Sequence, residues 1–553
     1  MKPNMKIENP LTNRLIGHRY LLLSVLCGLL YLANLGGYRL FDVDEPRYAE
    51  TARFMVASGD YIVPRFNGAY RFEKPVLTYW LIAAGYRLFG VGEWAARLPS
   101  ALAGLGTVLL TCLLAGRIRS PGRGLAAGAI LACCLQFIAL GRWVLTDMHL
   151  CFFFTGCLVF FYLGQNEGND SKARLYFLGA FAFSGFSVLT KGPVGLVLPA
   201  AISAAFLFST GQLHGCLRRI PITLGISLFA AITLPWYVLV TIRSDFEFFR
   251  VFILQHNFLR FFGEVAPGGQ HIEPFYYYLP WLLAGSYPWT FFALQSVFNP
   301  LRPFIRAFGK AQALQGNGAF PLVWTLLVIL FFSLSRAKLP TYITPAFPPL
   351  AVLLADYLAQ TTAVSPGRRP LRLVVPAILG VVFALGLGVY LLAEGNKLAP
   401  FSLGNLPYAA AAVILAGPLA AFSFLLTRRL TAAFSLQITG QILFTWLLAF
   451  SVLPLVSGHR QEPQIRLIDK ADEIIGDRGR LAAYRYHKTA LAFYSEKPVM
   501  FLEPGETAAL DTLNVPFAVI TIDRYAEELT SRAPYLKLIS SAEHLVLLGQ
   551  SGN

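Results

Sequence analysis

The chain has 553 residues, of which 56% are hydrophobic and only 14% are charged, and its mean hydropathy is +0.56. Soluble domains carry about a quarter charged residues, so this composition excludes an ordinary soluble protein. The net charge of +16 does not indicate a nucleic-acid-binding protein, because the Lys and Arg residues are dispersed in short loops and form no single basic face.

Apolar runs of membrane-spanning length recur along the chain and predict a polytopic α-helical membrane protein with about 13 transmembrane helices. The basic N-terminus precedes the first run without a cleavage motif, which indicates a retained signal anchor with a cytoplasmic N-terminus. The loops then assigned to the cytoplasm hold most of the Lys and Arg residues, as the positive-inside rule requires. The seven cysteines have no metal-ligand spacing, and we interpret them as small apolar residues.

The first outer loop, residues 38–94, contains two helical stretches, 46–58 and 76–89, and opens with the acidic motif "FDVDEPRYAE". Pro46 suits the first turn of a helix, which makes Glu45 the candidate N-cap. Carboxylates are stabilised near a helix N-terminus, so capping accounts for one or two of the three acids.

Capping leaves at least one acid of this motif unexplained. Asp44, Arg47 and Tyr48 have the i, i+3, i+4 spacing that places side chains on one face of a helix. We therefore expect Asp44 to belong to a functional site.

Further charged residues lie at the outer ends of predicted helices, where the positive-inside rule disfavours cations. Asp147, in "RWVLTDMHL", requires a partner close to lipid, and we expect that partner to be Arg142. The other motifs are "RFEKPVLTYW" with Glu73 and Lys74, "LTKGPVG" with Lys191, and "SRAKLPTYITPAFPPL" with Arg336 and Lys338. Such a mixture suits a phosphorylated sugar substrate, with cations for the phosphate and carboxylates for the sugar. For Lys74, a membrane-anchoring role is the alternative.

A long outer loop, residues 242–274, is rich in glycine and aromatic residues and is a candidate flap over a lipid substrate. It contains His256 and His271, which together with Glu73 are candidate ligands for a structural divalent metal. No spaced histidine pair supports such a site, and we expect no required cofactor.

After about residue 457 the composition changes to that of a small soluble α/β domain, residues 458–553, which follows the transmembrane domain, residues 1–457. Strands are predicted at "RLAAYRY", "PVMFLE" and "PFAVITID", and helices at "QIRLIDKADEIIGD", "TALAFYSE" and "YAEELTSR". An odd number of spans places this domain on the outer face.

The stretch from "FDVDEPRYAE" through "RFEKPVLTYW" resembles the first outer loop of the 4-amino-4-deoxy-L-arabinose lipid A transferases. The resemblance continues through "TDMHL", "LTKGPVG", "HNFLRFF" and "SRAKLPTYITPAFPPLA" and covers most of the membrane part. These proteins belong to the C-type glycosyltransferase superfamily, with protein O-mannosyltransferases and oligosaccharyltransferases. The resemblance implies an inverting transferase of the bacterial inner membrane that moves the sugar from undecaprenyl phosphate to a phosphate of lipid A, and so confers resistance to polymyxin and cationic peptides.

Residue roles follow from the resemblance by motif. It implies that Lys74 and Arg260 bind the donor phosphate, with Asp44 as the central acid and Asp147 as a second one. Residues implied to support substrate binding are Arg47, Tyr48, Glu73, Lys191, Arg336 and Tyr342. The family implies an outer, periplasmic active site, and we expect a monomer.

Other classes stay open at this point. The same fold serves transferases of other polyprenyl-linked sugars, such as mannose or galactosamine, with lipid or protein acceptors. A transporter or flippase is a further alternative, although no internal repeat is apparent and most charges gather at one face. A lipid-binding or scaffold protein is the third, and its outer acids would tolerate conservative replacement.

Overall fold

The computed structural model describes residues 10–259, 273–307, 318–363, 371–394, 404–426, 430–476, 478–495 and 497–550. Helices dominate the chain up to residue 475. They are α1 (Pro10–Tyr31), α2 (Asp44–Ser58), α3 (Leu77–Phe89), α4 (Glu93–Ile118), α5 (Pro121–Ala132), α6 (Leu135–Gly141), α7 (Thr146–Asn166), α8 (Asp170–Lys191), α9 (Val194–Ser209), α10 (Leu213–Arg219), α11 (Ile222–Arg243), α12 (Tyr278–Gly285), α13 (Thr290–Ala307), α14 (Ala319–Leu334), α15 (Phe347–Ala363), α16 (Leu371–Glu394), α17 (Leu406–Leu426), α18 (Leu430–Leu447) and α19 (Leu453–Ile475).

The described residues also form three short α-helices, strands and helical turns. The remaining α-helices are α20 (Thr489–Tyr494), α21 (Ala508–Asp511) and α22 (Ala526–Arg532). The strands are β1 (Arg65–Phe66), β2 (Ala69–Tyr70), β3 (Arg480–Tyr484), β4 (Val499–Leu502), β5 (Phe517–Ile522), β6 (Leu536–Ala542) and β7 (Leu545–Gln550). Wider π-helical turns occur at Phe249–Leu259 and Leu448–Val452, and 3₁₀ turns at Phe275–Tyr277, Pro340–Ala346 and Asp523–Tyr525.

Seven helices of the described residues are long and apolar enough to cross a membrane, and the number becomes eight if the bent pair α5 and α6 is one span. Four shorter apolar helices accompany them, at Tyr20–Tyr31, Val194–Ser209, Ala319–Leu334 and Leu406–Leu419. The prediction of a polytopic helical membrane protein is thus confirmed, and the count of about 13 spans stays a prediction.

The chain forms two compact units that are interleaved in sequence. The first comprises residues 1–33, 72–77 and 98–448, and the second comprises residues 34–71, 78–97 and 449–553. The boundary that composition places at residue 457 falls inside α19.

In the first unit, neighbouring helices pack as hairpins, of which α7 and α8 form the most extensive pair. Only residues 167–169 separate the two helices, and the Asn169 side chain caps α8 by accepting a hydrogen bond from the Lys172 amide at 3.1 Å. Such a short connection forces antiparallel packing, so the start of α7 and the end of α8 lie at the same end of the hairpin.

In the second unit, five strands form a mixed sheet in the order β4-β3-β5-β7-β6. The β3 strand pairs in parallel with β4 and β5, and β7 pairs antiparallel with β5 and β6. One face of the sheet packs on α19, with Leu467 and Ile468 in that core, and the other packs around Leu529 of α22. Strands β3, β4 and β5 and helices α20 and α22 coincide with sequence predictions, as do α2 and α3, whereas β6 and β7 were missed.

A small hairpin of residues 65–70 belongs to the same unit. Strands β1 and β2 are joined by Asn67 and Gly68, which have φ values of 52° and 82°. This Asn-Gly pair suits the left-handed positions of a tight hairpin turn. The Asn67 side chain accepts a hydrogen bond from the Val499 amide at 2.7 Å and donates one to the Val499 carbonyl at 2.6 Å, which covers the edge strand β4.

Candidate functional site

In the first unit, three sequence-predicted residues meet at one place. The Nζ atom of Lys191 lies 2.6 Å from Oδ1 of Asp147 and 4.3 Å from the centre of the Tyr342 ring. The two charged side chains are only 11% and 9% exposed. The ammonium is therefore held between a carboxylate and an aromatic face, which fixes its position.

Local structure explains this ion pair. Asp147 is in the first turn of α7 and Lys191 is the last residue of α8, so the α7–α8 hairpin brings them together. Each charge also sits where the helix dipole favours it, the carboxylate at an N-terminus and the ammonium at a C-terminus. Asp147 and Lys191 lie at about equal sequence distances from the connecting loop, so an antiparallel hairpin places them opposite each other. Their pairing was predictable from this spacing.

The expected pairing of Asp147 with Arg142 was wrong. The Arg142 guanidinium instead donates to the carbonyl oxygens of Leu30 at 3.0 Å and Ala33 at 2.7 Å, at the end of α1. The last carbonyls of a helix lack intrahelical partners, so a buried arginine there satisfies them. Arg142 therefore has a structural role, because its hydrogen bonds hold the end of α1 in place.

The segment before Tyr342 is fixed by a buried lysine. The Nζ atom of Lys338 donates to the Glu273 carbonyl at 2.8 Å and to the Ser335 carbonyl. Burial lowers the pKa of Lys338 below its usual value, and the charge of Glu273 opposes that change. The neighbouring Arg336 is exposed, and its carbonyl accepts from the Glu273 amide at 3.5 Å.

Glu73, Lys74 and Tyr278 also belong to the first unit. Glu73 and Lys74 are consecutive and half-buried, just before the buried Pro75. Tyr278 of α12 is buried, which raises the pKa of its hydroxyl, and the charges of the nearby Tyr342 and Asp147 raise that pKa further. Tyr278 is a member of the cluster that sequence reasoning missed, because an apolar aromatic run gives no sign of which ring faces a polar group.

In the second unit, the acids of "FDVDEPRYAE" separate into different roles. Asp42 Oδ1 accepts hydrogen bonds from the Thr489 hydroxyl at 2.8 Å and from the Ala490 amide at 2.9 Å. Its other oxygen accepts from Gln461 at 3.3 Å. Asp42 thereby caps the start of α20 from a distant part of the chain and is structural.

Glu45 has a second structural role. It forms a two-pronged ion pair with Arg97, with both N–O distances 2.8 Å and side-chain exposures of 1% for Glu45 and 0% for Arg97. Glu45 also accepts from the Phe41 amide at 2.9 Å. The expectation that Glu45 is the N-cap was wrong: α2 begins at Asp44, and the N-cap residue is Val43.

Arg97 uses its remaining donors on the chain that leads into the acidic motif. It donates to the carbonyl oxygens of Leu35 and Tyr38, each at 2.9 Å, and its guanidinium lies 3.9 Å from the centre of the Tyr38 ring. A buried arginine with its donors satisfied is compatible with the interior. Sequence reasoning overlooked Arg97 because its partners lie more than fifty residues away.

Asp44 differs from its neighbours. It is exposed, and among the described residues no hydrogen bond or ion pair involves its side chain. Arg47 is half-buried one turn later, and the buried Tyr48 stacks on Tyr79 with 5.6 Å between ring centres. The Arg71 guanidinium lies 4.8 Å from the centre of the Tyr48 ring, which fixes that tyrosine.

The structure does not describe the side chains of three candidate site residues. Arg260 and His271 lie outside the described residues, and the side chain of His256 is not described either. Among the described residues, no three His, Cys, Asp or Glu side chains form a group able to hold a metal ion. All seven cysteines are buried free thiols, as interpreted from the sequence.

Comparison with known proteins identifies relatives of this chain. Residues 73–238 match the family model of dolichyl-phosphate-mannose-protein mannosyltransferases. An undecaprenyl phosphate-alpha-4-amino-4-deoxy-L-arabinose arabinosyl transferase of Enterobacter sp. (strain 638) is 31% identical over 399 residues, which are 72% of this chain and 68% of that protein. The corresponding transferase of Edwardsiella ictaluri is 33% identical over 66% of this chain, but the match spans only 63% of that protein.

Solved structures share the fold. The crystal structure of ArnT from Cupriavidus metallidurans bound to undecaprenyl phosphate matches with a TM-score of 0.78 and 23% identity, over 96% of this chain and 97% of that one. An Archaeoglobus fulgidus oligosaccharyltransferase matches with a TM-score of 0.51 and 13% identity, over 94% of this chain and 71% of that one. The chain has the C-type glycosyltransferase fold and belongs to the family of the undecaprenyl phosphate-alpha-4-amino-4-deoxy-L-arabinose arabinosyl transferases.

Proposed function

We propose that the chain is an inverting glycosyltransferase that moves 4-amino-4-deoxy-L-arabinose from undecaprenyl phosphate to a phosphate of lipid A. The observation that carries the proposal is family membership, at 31% identity over 68% of a transferase of that name. The bound undecaprenyl phosphate in the Cupriavidus metallidurans structure supports the choice of donor.

The arrangement of acids supports Asp44 as the central acid. Asp42 and Glu45 are occupied by structural contacts, whereas Asp44 is exposed. During inversion, an acceptor oxygen bonds to the anomeric carbon as the bond to the donor phosphate breaks. A phosphate acceptor is already ionised and requires no strong base, so Asp44 orients the acceptor or the sugar amine; for a hydroxyl acceptor Asp44 is the base.

Cations are needed for the departing phosphate, and we assign this role to Lys74 and Arg260, with Arg336 and Arg47 in support. Lys191 is less suited to it, because its charge is already balanced by Asp147 at 2.6 Å. We assign the pair Asp147 and Lys191, with Tyr342 beside it, a positioning role at the sugar end of the donor.

The proposal includes a location and an assembly state. The chain is a multi-pass protein of the bacterial inner membrane with about 13 spans and a cytoplasmic N-terminus, and it acts as a monomer. The active site and the C-terminal domain face the periplasm. No metal is required; a structural divalent ion held by Glu73, His256 and His271 is the alternative, and metal removal followed by an activity assay separates the two.

A transferase of another polyprenyl-linked sugar, such as mannose, is the second candidate. The match of residues 73–238 to the mannosyltransferase family model favours it. Both candidates predict a lipid-linked donor, so the sugar and the acceptor distinguish them.

The test is to incubate the purified protein with a set of polyprenyl-phosphate sugars and lipid A, and to weigh the products by mass spectrometry. We expect lipid A to gain the mass of one aminoarabinose residue only with the matching donor. The Asp44→Asn variant serves as the control for enzymatic transfer. Transfer of another sugar, or transfer to a protein acceptor alone, contradicts the proposal.

A further inference from the structure

A polar cavity lies at the other end of the first unit from Asp147 and Lys191. Helix α14 runs from Gly318 at the cavity to the segment that precedes Tyr342, and its sixteen residues span about 24 Å. The cavity has a volume of about 210 Å³ and is lined by Arg119, Ser296, Asn299, Pro300, Pro303, Gly318, Leu353, Asp356, Tyr357 and Gln360. At about 30 Å³ per water, it has room for a phosphate group.

In the wall of this cavity the charges of Arg119 and Asp356 balance, and Arg123, which is outside the lining, adds a positive charge beside them. Arg119 donates to Asp356 at 3.0 Å, and Arg123 forms a second ion pair with the same carboxylate. Gln360 also donates to Asp356, at 2.7 Å. Two guanidinium groups therefore share one carboxylate, which leaves a net charge of one unit unbalanced within this cluster.

The Arg119 guanidinium has donors that the described part of the protein does not use. Its side chain is 24% exposed, and among the described residues it donates only through Nη2, to Asp356. The remaining N–H groups of its two terminal nitrogens are available to an anion in the cavity. Gly318, the N-cap residue of α14, lies in the same wall, and the positive end of the α14 dipole adds to the attraction for an anion.

We propose that this cavity binds a phosphate group, carried either by the headgroup of an anionic phospholipid or by free inorganic phosphate. Guanidinium donors, an amide side chain and a helix N-terminus are the groups that recognise phosphate in proteins. The site is separate from the proposed donor site, and it does not depend on the proposed function.

Charge-matched variants of the whole protein test the proposal. Asn299→Asp adds a negative charge at the cavity wall from an exposed position, and Arg119→Gln removes the guanidinium. Arg306→Gln is the control, because Arg306 is exposed on the same helix as Asn299, α13, outside the cavity lining, and its loss changes the net charge by the same amount.

The measurement is mass spectrometry of the intact protein in detergent, titrated separately with phosphatidylglycerol, phosphatidylcholine and inorganic phosphate. We expect the anion to bind saturably and with equal affinity to the wild type and to Arg306→Gln. We expect about tenfold weaker binding to Asn299→Asp and to Arg119→Gln. Saturation by phosphatidylglycerol supports the lipid as source, and saturation by inorganic phosphate alone supports the free ion. Equal binding of phosphatidylcholine and phosphatidylglycerol without any phosphate binding, or equal binding by all four proteins, overturns the proposal.

Discussion

Lys191 and Asp147 form an ion pair of 2.6 Å between the last turn of α8 and the first turn of α7. The pair closes the end of the α7–α8 hairpin, and the Tyr342 ring lies 4.3 Å from the ammonium. The pair and the Tyr342 ring therefore hold the segment after α14 against the ends of two transmembrane helices.

This relationship predicts a strong coupling in a double-mutant cycle. Lys191→Met leaves the Asp147 carboxylate largely buried without its charge partner, and we expect a loss of about 3 kcal/mol in the free energy of unfolding. The double variant with Asp147→Leu should recover part of that loss, because no buried charge remains. Thermal unfolding in detergent measures both, and strictly additive effects would contradict the coupling.

The buried pair of Glu45 and Arg97 gives a second stability prediction. Arg97→Met leaves Glu45 charged in the interior and frees the carbonyls of Leu35 and Tyr38, so we expect a loss of about 3–5 kcal/mol. Lys470→Met is the matched control: Lys470 pairs with Glu473 at the surface, at 2.8 Å, and such pairs contribute about 0–1 kcal/mol. Resistance to proteolysis measures the difference, and equal resistance of Arg97→Met and Lys470→Met would contradict the prediction.

The acidic motif allows activity and stability to be separated. We expect Asp44→Asn to abolish sugar transfer with an unfolding temperature close to that of the wild type. Asp42→Asn should weaken the contacts with Thr489 and Ala490 and lower the unfolding temperature, with a smaller effect on transfer per folded molecule. Wild-type transfer by Asp44→Asn would remove that residue from the mechanism.

The second unit should respond to pH through Glu528. A hydrogen bond from Tyr484 is the main cause that lowers the pKa of Glu528 below its usual 4.5, with Arg485 in support. The folded carboxyl therefore binds a proton more weakly than the unfolded one, so its stabilisation is present above about pH 4.5 and is lost as the pH falls through the lowered pKa. We expect the wild type and Glu528→Gln to differ in unfolding temperature at neutral pH and to converge in acid. The exposed Glu527→Gln is the control, and a difference independent of pH would refute the assignment.

Sequence reasoning reached the class of the fold because composition and apolar runs depend only on the solvent around the chain. Helices α2 and α3 and strands β3 to β5 were predictable from local periodicity. Strands β6 and β7 were missed, since "YLKLISSAEHLVLLG" contains no strong turn signal at its centre.

The sequence by itself determined that this chain is a helical membrane protein and that acids and bases occur together near the ends of its helices, because both follow from hydropathy and from residue identity. The tertiary structure alone decided which of those charges form ion pairs or hydrogen bonds with other parts of the protein. Asp42 binds residues 489 and 490, Glu45 binds Arg97, and Asp147 binds Lys191 rather than the nearer Arg142. The physical reason is that a buried charge requires a partner at hydrogen-bonding distance in space, and sequence separation does not report that distance.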